Sequence, residues 1–349
     1  MTVGIDFHRW RAPEFGGFAG AVDHTDPVLG TTRRYEYTTW TSPEHRIGFG
    51  ATELVASWNA TTPAGTWLAV ELCCTTDTGG RTAWYVLGRW ASGDTDIRRT
   101  SVPGQADADG AVRVDTFRAA PGRTVPGYRL RVTLYRAAGT TATPELRMVG
   151  AMASAIPDRF TVPASPPSGA EAITLPVPAY SQYDHAGGEA WCSPTSTAMV
   201  IDHWRGRPSG VDAAARGTYD HAYQGTGNWP FNTAYAATHG LAGHVTRLRS
   251  LAELESHVRQ GVPVVTSQSF LAGELTGAHY GTAGHLMVVV GFTAAGDVVV
   301  NDPAAAGVRT VYERHQFETV WLRTKRHLAD GSVGSGPGGV VYLITPPGR

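Results

Sequence analysis

Apolar positions along this chain follow two different periods. Before about residue 156 they come in short runs: Glu53–Ala60, Thr66–Cys73, Ala83–Gly88, Val112–Phe117 and Tyr128–Tyr135. Leu130-Arg131-Val132-Thr133-Leu134-Tyr135 alternates apolar and polar residues, the two-residue period of a strand with one face buried. Gly, Pro, Asp and Thr clusters separate the runs, and no helical period comes between them. This predicts an all-β, sandwich-like domain over residues 1–156. Residues 157–174, PDRFTVPASPPSGAEAIT, then break the pattern with four prolines among small residues, the composition of an extended, weakly packed linker.

From 175 to 349 the two periods mix. Ala198, Ile201 and Trp204 recur every three residues after Ser193-Pro194, and Gly206 closes the segment. The spacing predicts a helix with Ser193 as N-cap and Pro194 at its first position. Ser250-Leu-Ala-Glu253 is a capping box ahead of Leu251, Leu254 and Val258, with Gly261 as the stop. Strands are predicted at Pro263–Ser267, His285–Phe292, Val298–Asn301, Thr310–Tyr312 and Val340–Ile344. Helices followed by a run of strands predict an α+β domain.

Composition narrows the function classes. With 42% hydrophobic and 17% charged residues, the 349-residue chain has the balance of a globular protein of two domains. A net charge of −1 gives no electrostatic reason to expect nucleic acid or an acidic membrane as partner. No apolar run approaches the ~18 residues of a membrane helix, so no membrane insertion is expected. The start, MTVGIDFHRW, lacks the basic region and apolar core of a secretory signal. Six of the ten tryptophans fall in the β half. Stacking on glycan is one use for them, and core packing is the commoner one.

The three cysteines do not make a disulfide framework. Cys73 and Cys74 are adjacent, so a strand would turn them to opposite faces, one buried and one outward. Cys192 stands alone before the helix. Free N–H groups and the positive end of the helix dipole would face its sulfur and favour the nucleophilic thiolate. Such a nucleophile needs a base and an orienting group. AGHLMVVVGFTAAGDVVVNDPA, residues 283–304, supplies both. His285 opens an apolar strand, and after a turn at Thr293–Gly296 the next strand returns Asp302 to its vicinity. Gln182 lies ten residues before Cys192, beyond Gly187-Gly188, and its neutral amide suits an oxyanion donor beside the Cys192 N–H. His279 is the rival base. Trp191, Trp229 and His279 are the candidate groove residues. QADADGAVRVDT, residues 105–116, has a few calcium-loop features, but Gln105 and Thr116 stand where acidic ligands are needed, and an Asp-Gly hairpin turn explains it. No metal and no cofactor are expected.

The order YSQ, WCSPTSTAM, GHLMVVVGF, VNDP over residues ~175–349 resembles papain-like cysteine peptidases of the bacteriocin-processing, double-glycine type. More closely, it resembles actinobacterial proteins that join such a domain to an N-terminal β domain. The resemblance implies a papain-like fold, with Cys192 as nucleophile, His285 as base, Asp302 as orienter and Gln182 as oxyanion donor. It also implies a peptide or protein substrate and a secreted or cell-surface location. A GxxxxGK[ST] loop is absent, unlike relatives joined to an exporter, so a leader peptide is not the expected substrate. The expected activity is hydrolysis of a peptide or amide bond through an acyl-thioester. The alternatives are transfer or peptide cyclisation from the same thioester, and a non-catalytic binding protein on the same scaffold. Contact with cell wall or glycan would fall to the N-terminal domain.

Overall fold

A computed structural model describes residues 3–349. The chain forms two compact units that are not contiguous in sequence. One comprises Asp6–Ala155 with Gly217–His239; the other comprises an N-terminal piece ending at Ile5, then Ile156–Arg216 and Gly240–Arg349.

The first unit is built on two antiparallel sheets. One orders its strands Gly4–Arg11, Glu145–Ala155, Glu53–Thr61, Thr116–Ala119, Gly110–Arg113. The other runs Gly20–Thr25, Thr32–Thr41, Val125–Ala137, Thr66–Thr75, Tyr85–Trp90, with His45–Ala51 also on Val125–Ala137. Aromatic side chains join them. Trp58 and Trp90 meet edge to face at 6.3 Å, and the Tyr128 hydroxyl donates to the Ala151 carbonyl at 3.2 Å. Such pairs add about 0.5–1.5 kcal/mol each beyond the area they bury. Trp58, Trp67 and Trp90 are core, whereas Trp10, Trp40 and Trp84 are half-buried.

Four sequence expectations are corrected here. The run read as one strand, Val112–Phe117, is a hairpin, because Val114 takes a left-handed φ of 57° and reverses the chain. Cys73 and Cys74 are both buried, since the outward face of their strand is also covered and the Cys73 thiol donates to the Thr82 carbonyl. The presumed linker is extended but firmly held. Arg159 donates to the Leu322 carbonyl, Ser165 bonds Glu318, Ser168 bonds Glu255, and Arg314 donates to the Ser165 and Pro166 carbonyls. Finally, residues 217–239, read as part of the second domain, complete the first. Their helix, Trp229–Thr238, seats Phe231 against Trp58 and Trp90 at 6.1 and 5.4 Å between ring centroids. Gly88 leaves room for it: a β-carbon there would come 2.8 Å from Trp58 and 3.0 Å from Phe231.

The second unit folds helices onto one antiparallel sheet, ordered Ala242–Arg247, Val340–Thr345, Val264–Phe270, Thr282–Phe292, Val298–Asn301, Arg309–Tyr312. A two-residue strand, Ile173–Thr174, pairs with the end of Thr282–Phe292. The helix Cys192–Arg205 lies across Thr282–Phe292, Val264–Phe270 and Val340–Thr345 and buries Ala198, Met199, Val200 and Ile201. In Leu251–Arg259 the Ser250 hydroxyl accepts from the Glu253 amide, while Glu253 accepts from the Arg249 amide rather than closing on Ser250. No helix among the described residues is long and apolar enough to cross a membrane.

Candidate active site

The helix Cys192–Arg205 starts two residues earlier than its sequence suggests. Cys192 is its first residue and Trp191 its N-cap, with no side-chain cap. Ser193 does not cap; its hydroxyl bonds Tyr342 at 2.9 Å, and the Thr195 amide closes the first turn on the Trp191 carbonyl. Pro194 is still in the first turn, where its missing N–H costs nothing. As the first residue, Cys192 carries one of the helix's free N–H groups.

His285 lies within the strand Thr282–Phe292, opposite Gln268 of Val264–Phe270. The next strand pairs Asn301 with Val288, so Asp302 leaves the sheet beside His285. His285 Nε2 and Asp302 Oδ1 are 2.7 Å apart, and both residues are buried. That leaves the other ring nitrogen, Nδ1, for the Cys192 side chain, whose ionisation responds to the imidazole. Asp302 also accepts from the Ala304 amide at 2.9 Å, the Tyr280 hydroxyl at 2.8 Å and the Tyr312 hydroxyl at 2.7 Å.

The three groups shift one another's ionisation. Burial pushes the Cys192 thiol up, but the His285 imidazole and the amides of Leu286 and Ser193 outweigh it and bring the thiol below its usual range. Burial pushes His285 down, yet Asp302 and Cys192 raise it to about 10. Asp302 is held below the usual carboxylate range despite burial, by His285, Tyr312 and the Ala304 amide. A thiolate facing an imidazolium is the state these shifts favour.

Gln182 is buried beside this arrangement. Its backbone amide donates to the Pro303 carbonyl, tying it to the Asp302 loop, and its Nε2 donates to the Glu189 carbonyl at 2.9 Å. That carbonyl fixes which way the side-chain amide faces and leaves Nε2 a second hydrogen. Gly188 permits the turn, because a β-carbon there would overlap the Gln182 carbonyl oxygen. Trp191 is half-buried in the same loop, near His185.

Two groove candidates have surroundings of their own. His279 is exposed, with a left-handed φ of 59°. Trp229 lies in the other unit, where it opens the inserted helix and its amide donates to Asp115 at 2.8 Å. Sequence reasoning missed Tyr280 and Tyr312. Tyr280 follows His279 and Tyr312 ends a predicted strand, but nothing in a two-residue strand period says that two phenols converge on one carboxylate. Asp107 accepts from the amides of Asp109 and Gly110, closing its own turn. Among the described residues no group of three or more His, Cys, Asp or Glu is placed to hold a metal.

Comparison with known families gives two matches. Residues 174–329 match the Peptidase_C39 like family. Residues 11–154 match the Peptidase C39 N-terminal domain. The C39-like match spans Gln182, Cys192, His285 and Asp302, and ends in the turn between the strands Lys325–His327 and Val333–Ser335. A solved structure of a Bacillus anthracis protein assigned as a C39-like peptidase is similar at 20% identity, with a TM-score of 0.34. That alignment covers 50% of this chain and 98% of the other. No curated protein matches the chain. The chain is thus a mostly-β N-terminal region followed by a C39-like peptidase domain, a class whose general activity is that of a cysteine peptidase.

Proposed function

We propose that this chain hydrolyses a peptide or amide bond through an acyl-thioester, on a papain-like domain that follows a sandwich-like β domain. The observation that supports it is the buried His285–Asp302 pair at 2.7 Å beside Cys192, with the thiol lowered and the imidazole raised by one another. The C39-like family match agrees with it.

In the mechanism the Cys192 thiolate attacks the carbonyl carbon. A C–S bond forms and the carbonyl electron pair moves to oxygen. The Cys192 N–H and the second Nε2 hydrogen of Gln182 are the donors for that oxyanion, on charge that develops only in the transition state. His285 gives its proton to the leaving amine as the C–N bond breaks, leaving the thioester. Water then attacks the thioester while His285 takes its proton. Collapse of the second tetrahedral intermediate expels the thiolate and releases the acid, and His285 again carries the proton. Asp302 keeps the imidazole turned so that one nitrogen faces sulfur and substrate throughout.

The test is to incubate the purified chain with a mixed peptide library and read products by mass. Cleaved peptides bearing new carboxylates, lost in Cys192→Ala, are expected. Products that carry an added amine in place of water would move the reading to acyl transfer. An unchanged library would refute the hydrolase.

A further inference from the structure

We infer that Tyr280 and Tyr312 are positioning residues that keep Asp302 ionised and aimed at His285, Tyr280 doing so from a surface loop. The inference rests on the Cys192–His285–Asp302 reading above.

Asp302 has no solvent exposure. An ionised carboxylate there must be satisfied within the protein, or it takes up a proton. His285 Nε2 and the Ala304 amide use Oδ1; the two phenols share Oδ2. The titratable groups around the carboxylate are His285, Cys192 beyond it, and these phenols. Arg309, on the adjacent strand, turns instead to Asn301 Oδ1 and the Val177 carbonyl. Burial first, and then the charge of Asp302, raises both phenols well above the usual tyrosine range, so they stay protonated and remain donors.

The two donors differ in origin. Tyr312 closes the strand Arg309–Tyr312 and is fixed by the sheet. Tyr280 comes from the connection between Val264–Phe270 and Thr282–Phe292. The left-handed backbone of His279 turns the chain just before it. Glu274 stiffens that loop by accepting from the Leu271 amide and pairing with Arg323 at 2.6 Å. The Tyr280 ring stands edge-on to His285, 5.5 Å between centroids. Tyr280→Phe therefore removes the donor and leaves the ring contact.

The sign of the effect follows. The phenols hold the Asp302 pKa down, so losing one lets it rise. On acidification Asp302 then takes a proton sooner, the imidazolium loses its partner, and the thiolate is lost at higher pH. The experiment needs no substrate: Cys192 alkylation by iodoacetamide is mapped from pH 4 to 9 in the full chain, with circular dichroism confirming the fold. Each of Tyr280→Phe and Tyr312→Phe should raise the half-maximal pH by about 1–2 units, and the double variant by more, as expected for a lost hydrogen bond to a charged group. With a peptide substrate in hand, kcat should fall while KM stays within about twofold. If one single variant does not fold, the other decides. Folded variants with the wild-type profile would overturn the inference while leaving the triad intact. A wild-type Cys192 that alkylates like a free thiol would overturn the triad reading and this one with it.

Discussion

Phe231 is where the chain's unusual connectivity can be tested most directly. It arrives from the C39-like half of the sequence yet sits, with no exposure, between Trp58 and Trp90 of the β unit. Truncating a buried Phe to Ala typically costs about 3–5 kcal/mol, the loss of transfer energy plus the cavity left behind. The upper half of that range applies, because two aromatic contacts worth about 0.5–1.5 kcal/mol each go as well. The neighbours cannot collapse easily: Trp58 and Trp90 belong to sheet strands, and Gly88 has no side chain to fill the void. For a unit of about 170 residues, each kcal/mol shifts Tm by roughly 2–4 °C, so Phe231→Ala should lower the β unit's Tm by roughly 8–20 °C. The assay is thermal unfolding followed by tryptophan emission, since both buried indoles enter water when this unit opens. In parallel, residues 6–155 are produced alone and then mixed with a peptide of residues 217–239. The fragment should lack a cooperative transition until the peptide is added. A fragment that melts cooperatively by itself at the full-length Tm, or a Phe231→Ala loss under about 1 kcal/mol, would show that the inserted helix is an accessory to the β unit rather than part of its core.

Asp115, whose pKa burial raises to about 6 although the Trp229 amide and Thr116 lower it, makes that unit pH-sensitive. Its folded pKa exceeds its unfolded value, so its contribution is full below about 4 and is lost as pH rises through 6. Relative to Asp115→Asn, wild-type unfolding free energy should fall by about 2–3 kcal/mol between pH 4 and 7, and a pH-independent difference in urea melts would contradict this. His285→Ala should cost several powers of ten in turnover and move Cys192 alkylation to high pH, whereas His279→Ala should change neither. The reverse pattern would transfer the base role to His279. Gln182→Ala should lower kcat about 10²–10³-fold with KM little changed, and a defect confined to KM would place this residue in substrate binding instead.

Local signals were legible and long-range ones were not. The helix Cys192–Arg205, its apolar face and its end at Gly206 follow from spacing, as do Ser250 as a cap and Gly261 as a stop. The vicinity of His285 and Asp302 follows from one short hairpin, since two strands joined by a turn must return. Ser193 misled because its preference for N-caps is a statistical tendency, overridden here by the Tyr342 hydroxyl. Cys73 misled because two-residue alternation says which face a side chain takes, not whether that face is covered. The Val112–Phe117 hairpin hides behind Val114, a β-branched residue in a left-handed conformation that no turn signal announces. The contribution of 217–239 to the β unit could not be read at all: Phe231 meets Trp58 across more than 170 residues of sequence, and neither carries a mark of the other.

The same distinction bears on how the thiolate is held. Cys192 is the first residue of its helix, so the Ser193 amide reaches its sulfur, and the Leu286 amide reaches it from the His285 strand. These are dipoles and carry no compensating charge. Of the groups that lower the thiol, His285 is the ionisable one, and burial opposes the thiolate more strongly than any single favourable contribution. Helix position, the feature that first draws attention to this cysteine, is therefore insufficient by itself. Without the imidazolium, burial prevails and the thiol returns to or above its ordinary range. The imidazolium in turn is buried and owes its charge first to Asp302, then to the thiolate. Each member of the line favours the charged form of its neighbour. The state is cooperative and depends on the least secured link, the carboxylate that four donors hold at the base of the site.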